Sequence, residues 1–352
     1  TMYAAKALLR AHGSSLLEGR QTGMDYDVSS LAAVNFNTTI AGIEEADALL
    51  IIGANVRWEA PLVNTRIRKA VRRGAQVFAI GPEVDLTYRV EWLGNDLALL
   101  GDLPTAVREA FAGAARPAVI VGGGALKAGA LGAALALVDP LGLIRDGWNG
   151  FNVLHMAASR MGGLMLGYAQ PGGIADLVAA APGLVFFLGA DEVDFGRFAS
   201  ATKVYVGHHG DRGAHHADII LPAASYVEKS GTYVNLEGRV QIGQKAVFAP
   251  GEAREDWKIF RALSDVLGTP LPFDTLDALR TAMIADVPAL GRENELAAFP
   301  WNPPSLPATA AGPVAYPITD FYLTNAICRA SPTMQRCSAE IVHGQEFAEA
   351  AE

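Results

Sequence analysis

Two short apolar runs in the first third of the chain flank a stretch with helical periodicity. DALLIIGAN occupies residues 47–55, QVFAIGPE occupies residues 76–83, and RIRKAVRRG lies between them. Gly74, at the end of that middle stretch, is a typical residue at which a helix stops. A strand, a helix and a second strand at this spacing predict a βαβ unit with parallel strands. We therefore expect residues 1–115 to form a first α/β lobe.

Apolar runs recur further along the chain without the polar alternation of a half-exposed strand. Unbroken runs of this kind are typical of strands that are covered by helices on both faces. They occupy residues 117–126, 184–192, 203–210 and 217–223. An alanine-rich helix is predicted after the first run, extending to about Val138. We expect these elements to form a second, larger α/β lobe over residues 116–300.

The remaining elements have other patterns. Residues 231–243 predict a β-hairpin that turns at Glu237-Gly238, and residues 255–268 predict an amphipathic helix. Residues 301–352 are proline-rich at first and predict an extended tail, whose end could form a helix with an acidic terminus. The expected fold class is therefore α/β, with two lobes of mainly parallel sheets flanked by helices, a small hairpin and an extended C-terminal tail.

Composition and charge limit the class of protein and the kinds of partner. Residues of the apolar set make up 51% of the 352-residue chain and charged residues 18%, which is typical of a globular protein. The net charge of −9 argues against a nucleic-acid partner. The basic stretch 66–73 is either a solvated helix face or a contact with a protein partner. The strongly apolar run 177–190 contains Pro182 and is too short to span a bilayer, so no membrane span is expected.

Four histidines close together in the sequence could form a metal site. His208, His209, His215 and His216 stand in two adjacent pairs before an apolar run. Imidazole is a common zinc ligand, but neighbouring side chains diverge and the spacing fits no known zinc motif. A polar loop is the preferred interpretation, and a metal site is the alternative.

A glycine-rich segment follows the apolar run at 117–126. VGGGALKAG, residues 121–129, could cradle a phosphate on its backbone N–H groups. Gly122 and Gly124 fit the start of a dinucleotide fingerprint, but Lys127 stands where its third glycine belongs. A tight turn between strand and helix is preferred over nucleotide binding. We interpret Cys328 and Cys337 as structural thiols, since two cysteines cannot hold an iron–sulfur cluster alone.

The stretch ADIILPAASYVEKSGTYVNLEGRVQ, residues 217–241, resembles the molybdopterin oxidoreductase family. The shared pattern covers Ala217, Asp218, Leu221, Pro222, Glu228, Gly231, Thr232, Asn235, Glu237, Gly238, Arg239 and Gln241. Residues 94–100 and the βαβ unit resemble other parts of the same family. We expect Arg239 to fix the hairpin by binding loop carbonyls or a carboxylate such as Glu228.

The chain departs from active members of that family where the cofactor is held. The resemblance implies Asp-Pro-Arg after the second strand, but Gly81-Pro82-Glu83 stands there, and no cysteine is placed to ligate molybdenum. We therefore expect no catalytic residue, no cofactor-binding residue and no metal ligand in this segment, and no molybdenum.

Residues 149–168 and 315–344 look like one branch of the family, the large iron–sulfur subunit of NADH-quinone oxidoreductase (respiratory complex I), which is called G in bacteria. Members of that branch carry [2Fe-2S] and [4Fe-4S] clusters in an upstream part, so we expect residues 1–352 to be a segment of a longer chain that starts before Thr1. The resemblance implies a non-catalytic structural domain that supports electron transfer from NADH to quinone. The alternatives are an active molybdopterin-dependent oxidoreductase and a soluble dinucleotide-binding protein.

The resemblance also implies location and partners. The expected partners are other subunits of the hydrophilic arm of the complex. The expected location is the cytoplasmic side of a bacterial inner membrane or the matrix side of a mitochondrial one. In the tail, Tyr316, Pro317, Phe321 and Tyr322 are expected to form a packing strap or a subunit contact.

Overall fold

A computed structural model describes residues 1–345 of the chain. Its strands, in chain order, are β1 (Ala48–Ile52), β2 (Gln76–Ile80), β3 (Glu91–Gly94), β4 (Pro117–Val121), β5 (Ile144–Arg145), β6 (Trp148–Asn149), β7 (Phe151–Val153), β8 (Leu184–Leu188), β9 (Thr202–Gly207), β10 (Ile219–Pro222), β11 (Gly231–Val234) and β12 (Val240–Gly243).

The α-helices range from single turns to three turns. They are α1 (Met2–Ala11), α2 (Val56–Glu59), α3 (Pro61–Arg72), α4 (Thr105–Gly113), α5 (Gly123–Lys127), α6 (Leu131–Leu135), α7 (Arg160–Met165), α8 (Ile174–Ala179), α9 (Arg212–His216), α10 (Asp256–Val266), α11 (Leu276–Asp286), α12 (Ala326–Ala330) and α13 (Pro332–Cys337). No helix among residues 1–345 is both long enough and apolar enough to cross a membrane.

The larger sheet has five parallel strands in the order β3-β2-β1-β4-β7. The predicted βαβ unit is present as β1, α3 and β2. The boundary expected between residues 115 and 116 falls inside this sheet, because β4 pairs with β1 along its whole length. The second lobe therefore cannot begin at residue 116 as a separate sheet. Sequence alone did not reveal this, since β4 has the same apolar pattern as the strands of the other sheet.

Strand β1 lies at the centre of the larger sheet and is buried along its whole length. Leu50 and Ile52 point into one apolar core, whereas Leu49 and Ile51 point into another on the opposite face. This alternation follows from the two-residue period of a strand. The prediction of parallel strands covered on both faces is confirmed.

A smaller parallel sheet has the order β10-β9-β8. Phe187 and Tyr205 pack on one of its faces together with Phe195 and Phe198. The predicted hairpin is present as β11 and β12, which pair antiparallel. Its turn includes Gly238, whose φ of +82° suits glycine. The mixed α/β class with parallel sheets and small hairpins is thus confirmed.

Two predicted helices differ in extent from expectation. The alanine-rich helix is split into α5 and α6, because Gly129 adopts a φ of +71° between them. The helix expected at 255–268 is present as α10. The start of the tail, residues 301–320, has no regular helix or strand, and short helices follow. The expected acidic terminal helix falls largely on residues 346–352, which lie outside the described residues.

Candidate functional site

The order of strands in the larger sheet creates one crevice at its carboxyl edge. From β1 the chain crosses to β2 on one side, and β4 later takes the other side of β1. Ligands of open α/β sheets bind outside the carboxyl ends of the strands where the winding reverses in this way. Between β1 and β4, this place is formed by residues 53–55 and 122–124. We call it the crevice, and it is the candidate site.

The glycines of the crevice bring two turns into close contact. Gly124 donates its backbone N–H to the carbonyl oxygen of Gly53 at 3.0 Å. A Cβ atom on Gly53 would lie 2.5 Å from the backbone nitrogen of Ala125, and Gly53 has a φ of +60°. The glycine-rich segment thus forms a tight strand-to-helix turn.

A carboxylate of the chain itself occupies the backbone N–H groups of the crevice. Glu59, the last residue of α2, accepts the N–H of Asn55 at its Oε1 atom and the N–H of Gly123 at its Oε2 atom, both at 2.8 Å. Burial raises the pKa of Glu59 to about 7, although the two backbone hydrogen bonds act in the opposite direction. The sequence does not predict a role for Glu59, because nothing in the local pattern indicates that a glutamate at the end of a short helix contacts a turn 64 residues later.

The tail covers the crevice from outside. Tyr316 donates its hydroxyl to the carbonyl oxygen of Pro82 at 2.6 Å, and a Cβ atom on Gly81 would lie 2.8 Å from the Tyr316 hydroxyl. A Cβ atom on Gly123 would lie 2.8 Å from Cγ of Pro317. We call residues 312–317 the strap. The strap therefore packs against the turn formed by Gly81-Pro82-Glu83.

Backbone contacts fix the strap at its other end. Val314 donates its N–H to the backbone carbonyl of Asn95 at 3.1 Å, and Leu97 donates to the carbonyl of Gly312 at 3.0 Å. The carboxylate of Asp96 accepts the N–H of Gly312 at 2.9 Å. Val314 is buried in the core. The strap is consequently held on both sides of the crevice.

The smaller sheet repeats the same arrangement. Asp191, which follows β8 and is buried, accepts the backbone N–H of Gly213 at 2.9 Å and the hydroxyl of Tyr205 at 3.2 Å. Gly213 lies in α9, the short helix after β9. At the carboxyl edges of both sheets, an internal carboxylate therefore binds a backbone N–H of a strand-to-helix connection.

The histidine segment leads into α9 and the strand β10. Nδ1 of His208 lies 2.6 Å from Nδ1 of His209, while His216 contacts the carbonyl of Arg212 and stacks on the ring of Phe195. His215 is exposed. Within residues 1–345, no group of three or more His, Cys, Asp or Glu side chains is placed to hold a metal ion. The imidazoles of His208 and His216 thus point to different partners.

An arginine of the tail joins it to the smaller sheet. Arg329, in α12, donates from Nε to Asp211 at 2.6 Å and from Nη2 to Glu192 at 2.8 Å. It also donates to the carbonyl oxygen of Leu323. The tail therefore contacts the carboxyl edges of both sheets, through the strap at one and through Arg329 at the other.

Arg239 binds a loop carbonyl, as expected, but its carboxylate partner is not Glu228. It binds Glu237 at 2.9 Å and the carbonyl oxygen of Asn294 at 2.6 Å, whereas Glu228 accepts the N–H of Ser225 instead. The side chain of Arg239 is 36% exposed, whereas that of Glu237 is 7% exposed. Glu237 is the buried member, and it also accepts the N–H of Ile40 at 2.6 Å.

The basic stretch and the two cysteines that were considered in the sequence analysis lie away from the crevice. The basic stretch lies on α3 and on Arg73, which follows it, and Arg66, Lys69 and Arg73 all bind the carboxylate of Glu44. Cys328 and Cys337 are free and partly buried. One carboxylate therefore organises the basic face of α3.

A separate cavity of about 400 Å³ lies between α1, residues 14–21 and the edge strand β8. Its lining is mostly apolar. Arg160 is the cation of the lining, and it donates to the carbonyl oxygen of Gly19. Burial lowers the pKa of Arg160. None of the residues 53–55, 59 and 122–124 of the crevice lines this cavity, which is therefore a separate feature of the fold.

Two protein-family models match the chain. The model for molybdopterin oxidoreductase matches residues 1–266. The model for the C-terminal part of the NADH-ubiquinone oxidoreductase subunit named G matches residues 302–337, which include the strap from its first residue to its last.

Curated relatives agree with these matches. The chain is 42% identical over 331 residues to the mitochondrial NADH-ubiquinone oxidoreductase 78 kDa subunit of Neurospora crassa, covering 86% of this chain and 43% of the relative. It is 38% identical over 345 residues to the NADH-quinone oxidoreductase subunit named G of Rickettsia typhi, covering 96% of this chain and 50% of the relative. The chain spans about half the length of the curated relatives that it matches. The chain belongs to the molybdopterin oxidoreductase family.

Proposed function

We propose that this chain is a non-catalytic structural domain of the large iron–sulfur subunit of respiratory NADH-quinone oxidoreductase, where it supports the transfer of electrons from NADH to quinone. The observation that carries the proposal is the crevice, which the chain fills with its own Glu59 and its own strap. In open α/β sheets, ligands usually bind at the point where the winding of the strands reverses. When the protein's own residues fill that point, the usual binding position of the fold is lost. The named relatives are subunits of that complex.

The residues of the crevice do not fit a pterin nucleotide. The anionic part of such a cofactor needs backbone N–H groups or cations. The N–H groups of Asn55 and Gly123 already bind Glu59, and the residue beside Pro82 is the acidic Glu83. Tyr316 and Pro317 occupy the space directly outside Gly81 and Gly123. A negative charge and a packed strap both oppose the cofactor.

The proposal includes partners and location. We infer that the chain packs against other subunits of the hydrophilic arm, on the cytoplasmic or matrix side of the membrane, and that the clusters are held by an upstream part of the full-length subunit. Exposed apolar side chains support a partner surface. Ile219 and Ile220 are half exposed on the edge strand β10, and Phe248 is 88% exposed.

Cofactor analysis of the full-length native subunit tests the proposal. It is to be purified from its own host alongside an active molybdenum enzyme of the same family as a positive control, with metals measured by mass spectrometry and pterin by fluorescence after oxidation. We expect iron from the upstream clusters, but neither molybdenum nor pterin at stoichiometric levels. One molybdenum and one extractable pterin per subunit would overturn the proposal.

A further inference from the structure

The cavity of about 400 Å³ between α1, residues 14–21 and strand β8 lies apart from the crevice. Sites for small molecules in proteins usually enclose about 300–1,000 Å³ and combine a mainly apolar wall with a few polar groups. The cavity has this size and this composition. It also reaches the surface, because Leu184 in its wall is 50% exposed and Gly189 is exposed. A small molecule can therefore enter it.

Three parts of the chain supply the apolar wall of the cavity. One is the start of the chain with α1, the second is α8, and the third is β8 at the edge of the smaller sheet. The apolar side chains that these elements place in the wall include Met2, Ala5, Leu9, Leu177, Leu184 and Phe186. The apolar body of a ligand would be removed from water against this wall, which favours binding.

Arg160 is the cation of the cavity wall, and it lacks an anionic partner. Among residues 1–345, no carboxylate oxygen lies within 4.0 Å of its guanidinium group. Its hydrogen bond within this part of the chain goes to the carbonyl oxygen of Gly19, whereas a guanidinium group has five N–H donors. Arg160 therefore retains donors that a ligand in the cavity could use.

Glu18 also lines the cavity, but Arg20 already balances its charge. Oε1 of Glu18 accepts Nε of Arg20 at 2.9 Å, and Oε2 accepts Nη2 of Arg20 at 2.6 Å. The same oxygens also accept the backbone N–H groups of Gly19 and Gln170. Both side chains of the ion pair are buried. The pair adds no net charge, so Glu18 is not free to compensate Arg160.

The other titratable groups near Arg160 are neutral. Burial raises the pKa of Tyr26 and lowers the pKa of His155 to about 4, so neither side chain is charged at pH 7. Together with the pair of Glu18 and Arg20, they leave one positive charge in excess at this end of the cavity. A charge that is largely removed from water without a partner is unfavourable, and a bound anion would compensate it.

We propose that this cavity binds an amphipathic monocarboxylate, a medium-chain fatty acid, whose carboxylate pairs with Arg160 and whose alkyl chain lies against the apolar wall. One excess positive charge is balanced by one carboxylate, whereas a phosphate monoester carries about −1.5 to −2 at pH 7. The planar guanidinium group also matches the two oxygens of a carboxylate. The ligand would contact both the start of the chain and the smaller sheet, and it should therefore stabilise the fold.

Binding of dodecanoate to the full-length native subunit tests the proposal. The subunit is to be prepared without detergent, freed of bound lipid and titrated by calorimetry below the micellar concentration. We expect one dodecanoate per chain and a higher melting temperature at saturation. Decanoate, which is two methylene groups shorter, should bind about tenfold more weakly, because each buried methylene group tightens binding about fourfold. Failure to bind dodecanoate stoichiometrically would overturn the proposal.

The role of the charge is tested with an uncharged ligand and a neutral variant. Dodecanol, measured by competition, should bind the wild type about tenfold or more weakly than dodecanoate does, because it cannot form a charged hydrogen bond. Arg160→Gln should weaken dodecanoate binding by a similar factor. Arg68→Gln, which changes an exposed arginine of α3 outside the cavity, should bind dodecanoate as the wild type does. Wild-type affinity in Arg160→Gln would refute the site.

A second pair of variants keeps the test decisive if Arg160→Gln does not fold. Leu184→Glu changes a half-exposed side chain of the cavity wall, so the fold should tolerate it. It places a negative charge beside the ligand and removes apolar surface, and it should weaken dodecanoate binding by about tenfold. Leu267→Glu is the control, since Leu267 is 48% exposed and lies outside the cavity wall. Equal affinities of these two variants for dodecanoate would count against the cavity as its binding site.

Discussion

Oε2 of Glu59 accepts the backbone N–H of Gly123 at 2.8 Å, and this contact joins the helix after β1 to the turn after β4. In an open α/β fold these two connections line the position where an anionic ligand would bind. The chain places its own carboxylate there and covers it with its own tail. The carboxyl edge of the sheet is thereby part of the packed structure, and substitutions there should change stability.

Gly124→Ala should destabilise the protein through a clash with the strap. A Cβ atom at this position would lie 2.7 Å from the backbone oxygen of Ala315 and 2.7 Å from Cγ1 of Val314. Backbone atoms cannot rotate away, so we expect a loss of about 1–3 kcal/mol in the free energy of unfolding. Gly113→Ala at the end of α4 is the control, since its Cβ atom would meet no atom within 4 Å. Denaturant titration that gives equal midpoints for both variants would contradict the clash.

Tyr316→Phe should cost about 1 kcal/mol of stability, because it removes a partly buried hydrogen bond to Pro82 and leaves that carbonyl without its partner. Tyr322→Phe removes a hydroxyl that makes no hydrogen bond within residues 1–345 and should change stability by less than about 0.5 kcal/mol. Thermal unfolding of the two variants in parallel checks the difference. Equal melting temperatures would mean that the Tyr316 hydroxyl does not hold the strap.

The strands and the fold class could be predicted because they rest on local patterns. Unbroken apolar runs identified β1, β2 and β4, and a glycine-centred turn identified the hairpin. The assignment of β4 to its sheet could not be predicted in this way. A run such as PAVIV fits any parallel sheet, and only pairing with β1 along its whole length decides which sheet it joins.

The contacts that fill the crevice also could not be predicted from local sequence patterns. Its glycines were visible in the sequence, and the preferred interpretation as a tight turn agrees with the structure. Glu59 meets this turn across 64 residues and Tyr316 meets Pro82 across 234, and no periodicity encodes such contacts. Arg239 binds a loop carbonyl and a carboxylate, as expected, but the carboxylate is Glu237 and not Glu228, which residue type alone could not decide.

Arg329→Met should release the end of the tail from the smaller sheet. The substitution keeps much of the apolar stem but leaves Asp211 and Glu192 without their cation. We expect a loss of about 1–3 kcal/mol, since both carboxylates are partly buried. Arg336→Met is the control, because its pair with Glu340 is exposed on a helix and contributes about 0.5 kcal/mol or less.

Limited proteolysis at a single pH distinguishes these two variants. Cleavage within residues 320–345 should be faster in Arg329→Met than in the wild type, while Arg336→Met should be cleaved at the wild-type rate. Equal cleavage of both variants would show that the ion pairs of Arg329 do not anchor the tail.

Glu237→Ala should be more destabilising than Arg239→Ala. Removal of Arg239 breaks an ion pair whose arginine is solvent-accessible, together with one hydrogen bond to Asn294, for which we expect about 1 kcal/mol. Removal of the buried Glu237 also leaves the N–H of Ile40 without its acceptor, which adds about 1–3 kcal/mol. Chemical denaturation gives both values. A larger loss for Arg239→Ala would contradict this order.

Glu59→Gln should change the pH dependence of global stability. The pKa of Glu59 is about 7 in the folded chain against about 4.5 for an ordinary glutamate, so the folded state binds the proton more tightly and loses stability as pH rises between these values. The glutamine variant lacks this titration. Its free energy of unfolding relative to the wild type should therefore become more favourable by up to about 3 kcal/mol from pH 4.5 to pH 7, and then stay constant. Other groups cancel in this difference, and Glu83→Gln should give a flat one. A flat difference for Glu59→Gln would mean that Glu59 is hydrated in the folded protein, and that the tail does not exclude water from the crevice.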